Sequence, residues 1–257
     1  MNLKQKKEVE ETWAIIPARS NSKSIKNKNL QKIATKSLLR LTIDVAKKTK
    51  KIDKIFVSTE KKRILDQTIK WGSEVTNWRK TKNARDFSTD IDVILDFFES
   101  WFKDNDIYPK YLIYLRPTTP LRNYKVLNKA IVDFKKLKNY DSMVSVNKTS
   151  SAYKTFIIKK NKYLCPSFKK MSLDDANKPR QSFTTTYIGN GYFDIIKTKN
   201  LTKKIFLGKK CFPFITKETI DIDKKKDLIL ARFIKKNKRK FCNYYEFWTI
   251  FLLIFTS

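Results

Sequence analysis

Trp13-Ala14-Ile15-Ile16-Pro17-Ala18-Arg19-Ser20-Asn21-Ser22-Lys23-Ser24-Ile25-Lys26-Asn27-Lys28-Asn29-Leu30 reads as a strand feeding a phosphate loop. Ala14-Ile15-Ile16 is short and β-branched, as a strand buried on both faces should be, and Pro17 ends it because proline has no amide hydrogen for the ladder. Arg19, Lys23 and Lys28 then recur among Ser20, Asn21, Ser22, Asn27 and Asn29. A turn so rich in donors closes over something anionic, and a triphosphate is the natural candidate. A basic loop directly after a buried first strand also sits at the carboxyl edge of a parallel sheet, where open α/β proteins bind ligands.

The chain beyond it keeps one rhythm. Lys36 to Lys48 has helical spacing of Leu38, Leu39, Leu41, Val45 and Ala46; Lys54 to Ser58 is a second buried strand; Glu60 to Trp71 is a helix ended by Gly72. Glu74 to Trp78 reads as a third strand. Strands alternating with helices across brief connections predict right-handed crossovers and a mainly parallel α/β sheet flanked by helices. Arg79 to Asp92 is polar and loop-like, with Asp86 and Ser88 as turn and cap residues, before the amphipathic Val93 to Trp101. Tyr111 to Leu115 is a strand, and the prolines of Arg116-Pro117-Thr118-Thr119-Pro120-Leu121-Arg122 fix a rigid turn after it. Asn123 caps the next helix, and Asp141 to Val146 is another strand.

From Ser150 the rhythm breaks. Tyr153 to Ile158 and Lys162 to Leu164 predict a β-hairpin, and Asn190-Gly191 a tight turn or bulge. Phe214 to Asp223 reads as a strand. Asp221 and Asp223 then project together, about 7 Å apart, while Ile220 and Ile222 face the core. Two such carboxylates can share Mg²⁺; alternatively, Asp223 caps the helix that follows.

Composition narrows the chemistry. The 257 residues suit one large domain. The absence of histidine removes Ser/His/Asp and Cys/His triads and imidazole acid/base work together. Cys165, Cys211 and Cys242 are odd in number and lack Cys-x-x-Cys spacing, so they read as packing residues in a reducing compartment. Met1 to Glu11 is charged without an apolar centre, which implies a cytoplasmic start. A net charge of +32 would suit nucleic acid, but the lysines are scattered through every segment, so no nucleic-acid partner is expected.

Ile16-Pro17-Ala18-Arg19, Ser22-Lys23 and Lys28-Asn29 resemble the signature of the acylneuraminate cytidylyltransferases, the CMP-sialic acid synthetases. Asn21 and Ser24 stand where that family generally has glycine, and Lys26-Asn27 where it often has proline-glycine. The resemblance continues in order through Arg79, Asp86 and Ser88, the 116–122 turn (Arg116 in place of the family's glutamine), Asp141 to Val146, Lys178-Pro179-Arg180-Gln181 followed by Tyr187 and Asn190-Gly191, and Asp221-Ile222-Asp223 with Asp227-Leu228. It implies a Rossmann-like nucleotidyltransferase fold over 1–236, with a β-rich dimerisation excursion at 150–190.

The resemblance also implies a reaction: CMP passes from CTP to a sialic-type acid sugar and pyrophosphate is released. Arg19, Lys23 and Asp221 would be catalytic; Arg19, Ser22, Lys23, Lys28, Asn29, Arg79 and Ser88 would bind nucleotide. Arg116, Thr118, Arg180, Gln181, Tyr187 and Asn190 would bind sugar, Asp221 and Asp223 would hold Mg²⁺, and a homodimer would complete the site. CMP-Kdo synthetases share the fold, but Ser22-Lys23 and the later Lys28-Asn29 favour the neuraminate branch. A rival of another class is a non-catalytic basic homologue that binds nucleic acid. Residues 237–257, basic then aromatic, have no counterpart in the resemblance. The uncharged run from Phe247 is eleven residues, short of the ~20 that span a bilayer, so at most weak contact with a membrane surface is expected.

Overall fold

The computed structural model describes residues 3–20, 22–74, 79–84, 88–160 and 162–237. In chain order the strands are β1 (Lys7–Pro17), β2 (Lys32–Ile33), β3 (Lys36–Ser37), β4 (Lys54–Ser58), β5 (Ile107–Tyr114), β6 (Ser142–Lys148), β7 (Phe156–Ile158), β8 (Leu164–Pro166), β9 (Tyr187–Lys197) and β10 (Cys211–Ile215). The helices are α1 (Leu38–Lys48), α2 (Lys62–Lys70), α3 (Asp90–Trp101), α4 (Tyr124–Lys136), α5 (Leu173–Asn177) and α6 (Lys225–Asn237). The main sheet has six strands in the order β10-β6-β9-β5-β1-β4. Strand β9 runs antiparallel to both its neighbours, while β1 is parallel to β4 and β5, and β10 to β6.

Alternation along β1 explains the layers. Trp13 and Ile15 point to one face, where Phe56, Ile94, Phe97, Phe98 and Leu112 gather; Ala14 and Ile16 point to the other, against Leu39, Ile43, Leu127 and Ile131. Both faces are therefore covered by helices, as a parallel sheet requires. A third cluster joins Ile25, Ile33 and Leu38 to Ile222, Leu228 and Ala231. It ties the basic loop after β1 to the segment that carries Asp221 and Asp223.

Several expectations need correction. Strand β1 starts at Lys7 and runs through the charged amino terminus, where its pairing with β5 shifts register between Val9 and Thr12. Strand β10 ends at Ile215, so Asp221 and Asp223 lie on an extended segment outside the ladder. The backbone N–H of Thr216 still donates to the Val146 carbonyl, and that of Ile222 to the Thr118 carbonyl (both 2.8 Å); the segment is thus pinned across the 116–122 turn. The alternation survives: Ile222 is fully buried while Asp221 and Asp223 are exposed. Asp227, in the first turn of α6, accepts through its carboxylate from the N–H groups of Asp223 (3.0 Å) and Lys224 (2.7 Å), while the Asp223 carboxylate itself accepts from Lys28 Nζ. Helix α3 is capped by Thr89 in a reciprocal pair with Asp92, one residue beyond Ser88.

Of the two forms expected for Asn190-Gly191, a tight turn or a bulge, the structure has the irregular, bulge-like one. It lies inside β9, where pairing to β6 is irregular between Val144 and Val146, and Gly191 takes φ +66°. Cys211 is exposed and does not pack. Of the strand expected from Glu74 to Trp78 only Glu74 is described, and it is not in a strand; 75–78, Asn21, Asp86, Cys242 and the tail from 238 lie outside the described residues.

Candidate active site

A cleft of about 300 Å³ opens at the carboxyl ends of β1 and β5. Arg19, Ser22, Lys28 and Asn29 line it from the loop, Arg79, Ser88 and Asp90 from the approach to α3, Tyr114, Arg116, Pro117 and Thr118 from the end of β5 and the turn after it, and Asp221 and Asp223 from the opposite wall. Ten residues singled out in the sequence thus meet in one place: Arg19, Ser22, Lys28, Asn29, Arg79, Ser88, Arg116, Thr118, Asp221 and Asp223. Lys23 is exposed on the loop and is not part of this lining. Arg180, Gln181 and Tyr187 are exposed on the excursion outside it. Asn190 is buried, donates to Thr216 Oγ1 at 2.6 Å, and accepts from the Tyr192 N–H.

The loop keeps its shape without glycine. The Ala18 N–H donates to the Ser58 carbonyl, the Ser20 N–H to Glu60 Oε1 (2.7 Å), and Asn29 Nδ2 back to the Arg19 carbonyl (2.8 Å). Asn27 takes the left-handed conformation, φ 52° and ψ 43°, at one of the positions where glycine was missed. Asparagine tolerates that region and a β-branched residue does not. Asn27→Val is therefore expected to cost about 1–2 kcal/mol in urea unfolding, while Asn27→Gly holds wild-type stability.

The cations of the cleft are already engaged. Lys28 Nζ lies 3.1 Å from Asp223. Arg79 is buried and donates through Nε and Nη2 to the Ser58 hydroxyl and carbonyl, both at 2.9 Å; burial lowers its pKa from the ordinary value. Arg116 donates through Nη1 to Asp194 (2.7 Å) and through Nη2 to Asp90 (2.5 Å). Burial opposes its charge, but Asp194 and Asp90 outweigh burial and hold its pKa above the ordinary value. The resemblance offered Arg116 to the sugar; in the folded chain two protein carboxylates hold its guanidinium.

Sequence reasoning did not single out Asp90, Tyr114, Asp194 or Arg122 for the site. Arg122 is buried beneath it and donates to the carbonyls of Arg116 (2.7 Å), Gly191 (2.9 Å) and Tyr192 (2.5 Å). Burial pushes its pKa down to about 9. It clasps the turn after β5 to the irregular stretch of β9. The usable signal for Tyr114 was its place as the last residue of a parallel strand.

The pair Asp221 and Asp223 suits a hard cation that keeps several waters and takes only one or two protein carboxylates. Among the described residues no group of three His, Cys, Asp or Glu side chains could hold a metal. Beside Asp221 the buried Thr119 hydroxyl has no hydrogen-bond partner. A Cβ at Gly191 would lie 2.9 Å from that hydroxyl and 3.5 Å from the Asp221 carboxylate, so only glycine leaves this corner open. No helix among the described residues is long and apolar enough to cross a membrane.

Cationic loop, aspartate pair and parallel strand ends meet where open α/β proteins hold anionic ligands. The cytidylyltransferase family profile matches residues 13–183, and the chain belongs to that family. It is 27% identical over 231 residues to the N-acylneuraminate cytidylyltransferase of Escherichia coli O18:K1:H7, covering 88% of this chain and 53% of that protein. It is 33% identical over 118 residues to the CMP-N,N'-diacetyllegionaminic acid synthase of Legionella pneumophila, covering 46% of this chain and 50% of that protein. The chain thus spans about half the length of these two relatives. A structure of CMP:2-keto-3-deoxy-manno-octonic acid synthetase complexed with CTP shares the fold, with TM-score 0.65 and 13% identity over 89% of this chain and 99% of that one.

Proposed function

We propose that the chain transfers CMP from CTP to the anomeric hydroxyl of a nonulosonic acid with release of pyrophosphate. The observation that carries this is the meeting of Arg19, Lys28, Arg79 and Arg116 with Asp221 and Asp223 in one cleft at the strand ends. The names of the E. coli and Legionella relatives supply the sugar class. The sugar oxygen forms a bond to the α-phosphorus, the bond to the pyrophosphate oxygen breaks, and the hydroxyl proton leaves to water. Such a transfer asks mainly for positioning and charge neutralisation.

Arg19 and Lys28, with Lys23 on the same loop, hold the triphosphate and the departing pyrophosphate. Arg79, rigid on the Ser58 groups, and Ser88 face the base. The turn that carries Arg116 and Thr118 faces the sugar. Asp221 and Asp223 would hold Mg²⁺, which supplies neutralisation of phosphate charge and a more acidic hydroxyl. Lys28, now on Asp223, is within reach of both the carboxylate wall and the phosphate loop.

A homodimer and a cytoplasmic place, where CTP is made and thiols stay reduced, belong to the same reading. The hairpin β7–β8 exposes Phe156 (42%), Ile157 (52%), Ile158 (74%) and Leu164 (50%), with Tyr187 and Ile188 also exposed on β9. A solvated surface this apolar marks an interface. Pairing through it would bring Arg180, Gln181 and Tyr187 of one chain toward the partner's cleft. Ile158→Asp is expected to convert a dimer into a monomer in light scattering, and a monomeric wild type would remove this part of the reading.

The test of the activity is pyrophosphate release from CTP and Mg²⁺ with N-acetylneuraminic, N,N'-diacetyllegionaminic, pseudaminic and 3-deoxy-manno-octulosonic acids. Release with one of the first three is expected. Release only with the last would assign the chain to the octulosonate branch, and release with none would overturn the transferase reading.

A further inference from the structure

We propose that Asp90 is a placeholder for the substrate's carboxylate: it occupies the outer edge of the Arg116 guanidinium, and the acid group of the incoming sugar takes its place. The inference rests on the nonulosonate reading above for the identity of that acid.

Arg116 presents a planar fork of N–H donors, and its two outer nitrogens meet two carboxylates. The two are not equivalent. Asp194 sits in the middle of the sheet on β9, with its side chain 7% exposed, and burial raises its pKa above the ordinary value despite the guanidinium beside it. Leaving Arg116 would strand that carboxylate in the interior. The Asp90 side chain is 38% exposed on the cleft wall, so it can be resolvated when it lets go. As the first residue of the twelve-residue α3 it also keeps the favourable field of a helix amino terminus after release.

The remaining surroundings of Arg116 hold it in place through the exchange. Its guanidinium carbon lies 5.1 Å from the centre of the Tyr114 ring, and its carbonyl accepts from Arg122 Nη2 (2.7 Å) and the Thr119 N–H (3.3 Å). The buried Tyr114 hydroxyl is driven well above its ordinary pKa by burial, with the Asp90 charge adding to the effect, so no second anion is available there to replace Asp90. What takes the outer edge of the fork in exchange must be an anion brought by the ligand, and the acid group of the sugar that the 116–122 turn faces is the one proposed. A neutral ester could not displace Asp90, and selection for free acids follows.

The experiment is a saturation-transfer NMR titration of the full chain with each free nonulosonic acid and with its methyl ester. Asp90→Asn removes the competing charge and is expected to tighten the free acid about fivefold, the equivalent of roughly 1 kcal/mol for a half-exposed ion pair, with the ester unchanged. Arg116→Gln combined with Asp194→Asn removes the guanidinium without leaving a buried charge behind, and is expected to erase the preference for acid over ester. A purely structural role for Asp90 at the helix end would shift the melting temperature and leave the acid-to-ester ratio alone.

Equal effects of Asp90→Asn on acid and ester, weaker acid binding, or no acid preference in the wild type would each overturn the proposal. Acid preference through Arg116 in a chain that releases no pyrophosphate would remove the transferase reading and keep the placeholder. Turnover with an acid-to-ester ratio indifferent to Asp90 would do the reverse.

Discussion

Asp221→Asn is expected to lower pyrophosphate release by about 10²–10³-fold at saturating CTP and sugar, a loss of roughly 2.7–4 kcal/mol of transition-state stabilisation, as for removal of one preorganised group facing developing charge. The substitution is nearly isosteric and the side chain is exposed, so folding should be untouched and the melting temperature unchanged. Position explains the size of the effect. Asp221 has Thr119 and Gly191 packed beside it and Ile222 anchored next to it in the core, so the carboxylate cannot be replaced by rearrangement of a neighbour. Asp223 is already shared with Lys28, so its substitution should cost less in turnover and more in nucleotide affinity. Turnover in Asp221→Asn within a factor of about two of wild type would remove the carboxylate pair from the chemistry.

Much of this site was legible because its residues sit next to strong local signals. Arg19 and Asn29 follow a buried β-branched run that reads as a parallel-sheet strand, and β4, α1 and α4 follow from period and caps alone. Ile222 betrays the paired outward direction of Asp221 and Asp223 even though the segment is no strand, since a single buried apolar residue between two carboxylates imposes the same alternation. What was not legible is what joins distant segments. Arg116 meets Asp90 at a separation of 26 residues and Asp194 at 78, and no local pattern marks either pair. The left-handed backbone at Asn27 was similarly hidden, because asparagine is compatible with many conformations and only the fold selects one.

Arg116→Met should destabilise the chain by about 3–5 kcal/mol at neutral pH, since it strips the counter-ion from a carboxylate held inside the sheet. That is a large share of the roughly 5–15 kcal/mol by which domains of this kind are stable. The sign of the pH dependence follows from Asp194. Burial already raises its folded-state pKa above the ordinary 3.8, so the native chain binds this proton more tightly than the unfolded chain does. Its contribution to stability is greatest at acid pH and is lost as pH rises through the folded value. Without Arg116, which lowers that value, the folded pKa climbs further and the loss extends to higher pH. The deficit of Arg116→Met against wild type should therefore be small in acid and grow toward neutrality, as read from urea midpoints across pH. Asp194→Asn in the same chain should recover most of it, because a neutral amide keeps the shape and removes the stranded charge. A deficit independent of pH, or no recovery by Asp194→Asn, would mean that Arg116 stabilises the turn through its packing on Tyr114 rather than through the buried ion pair.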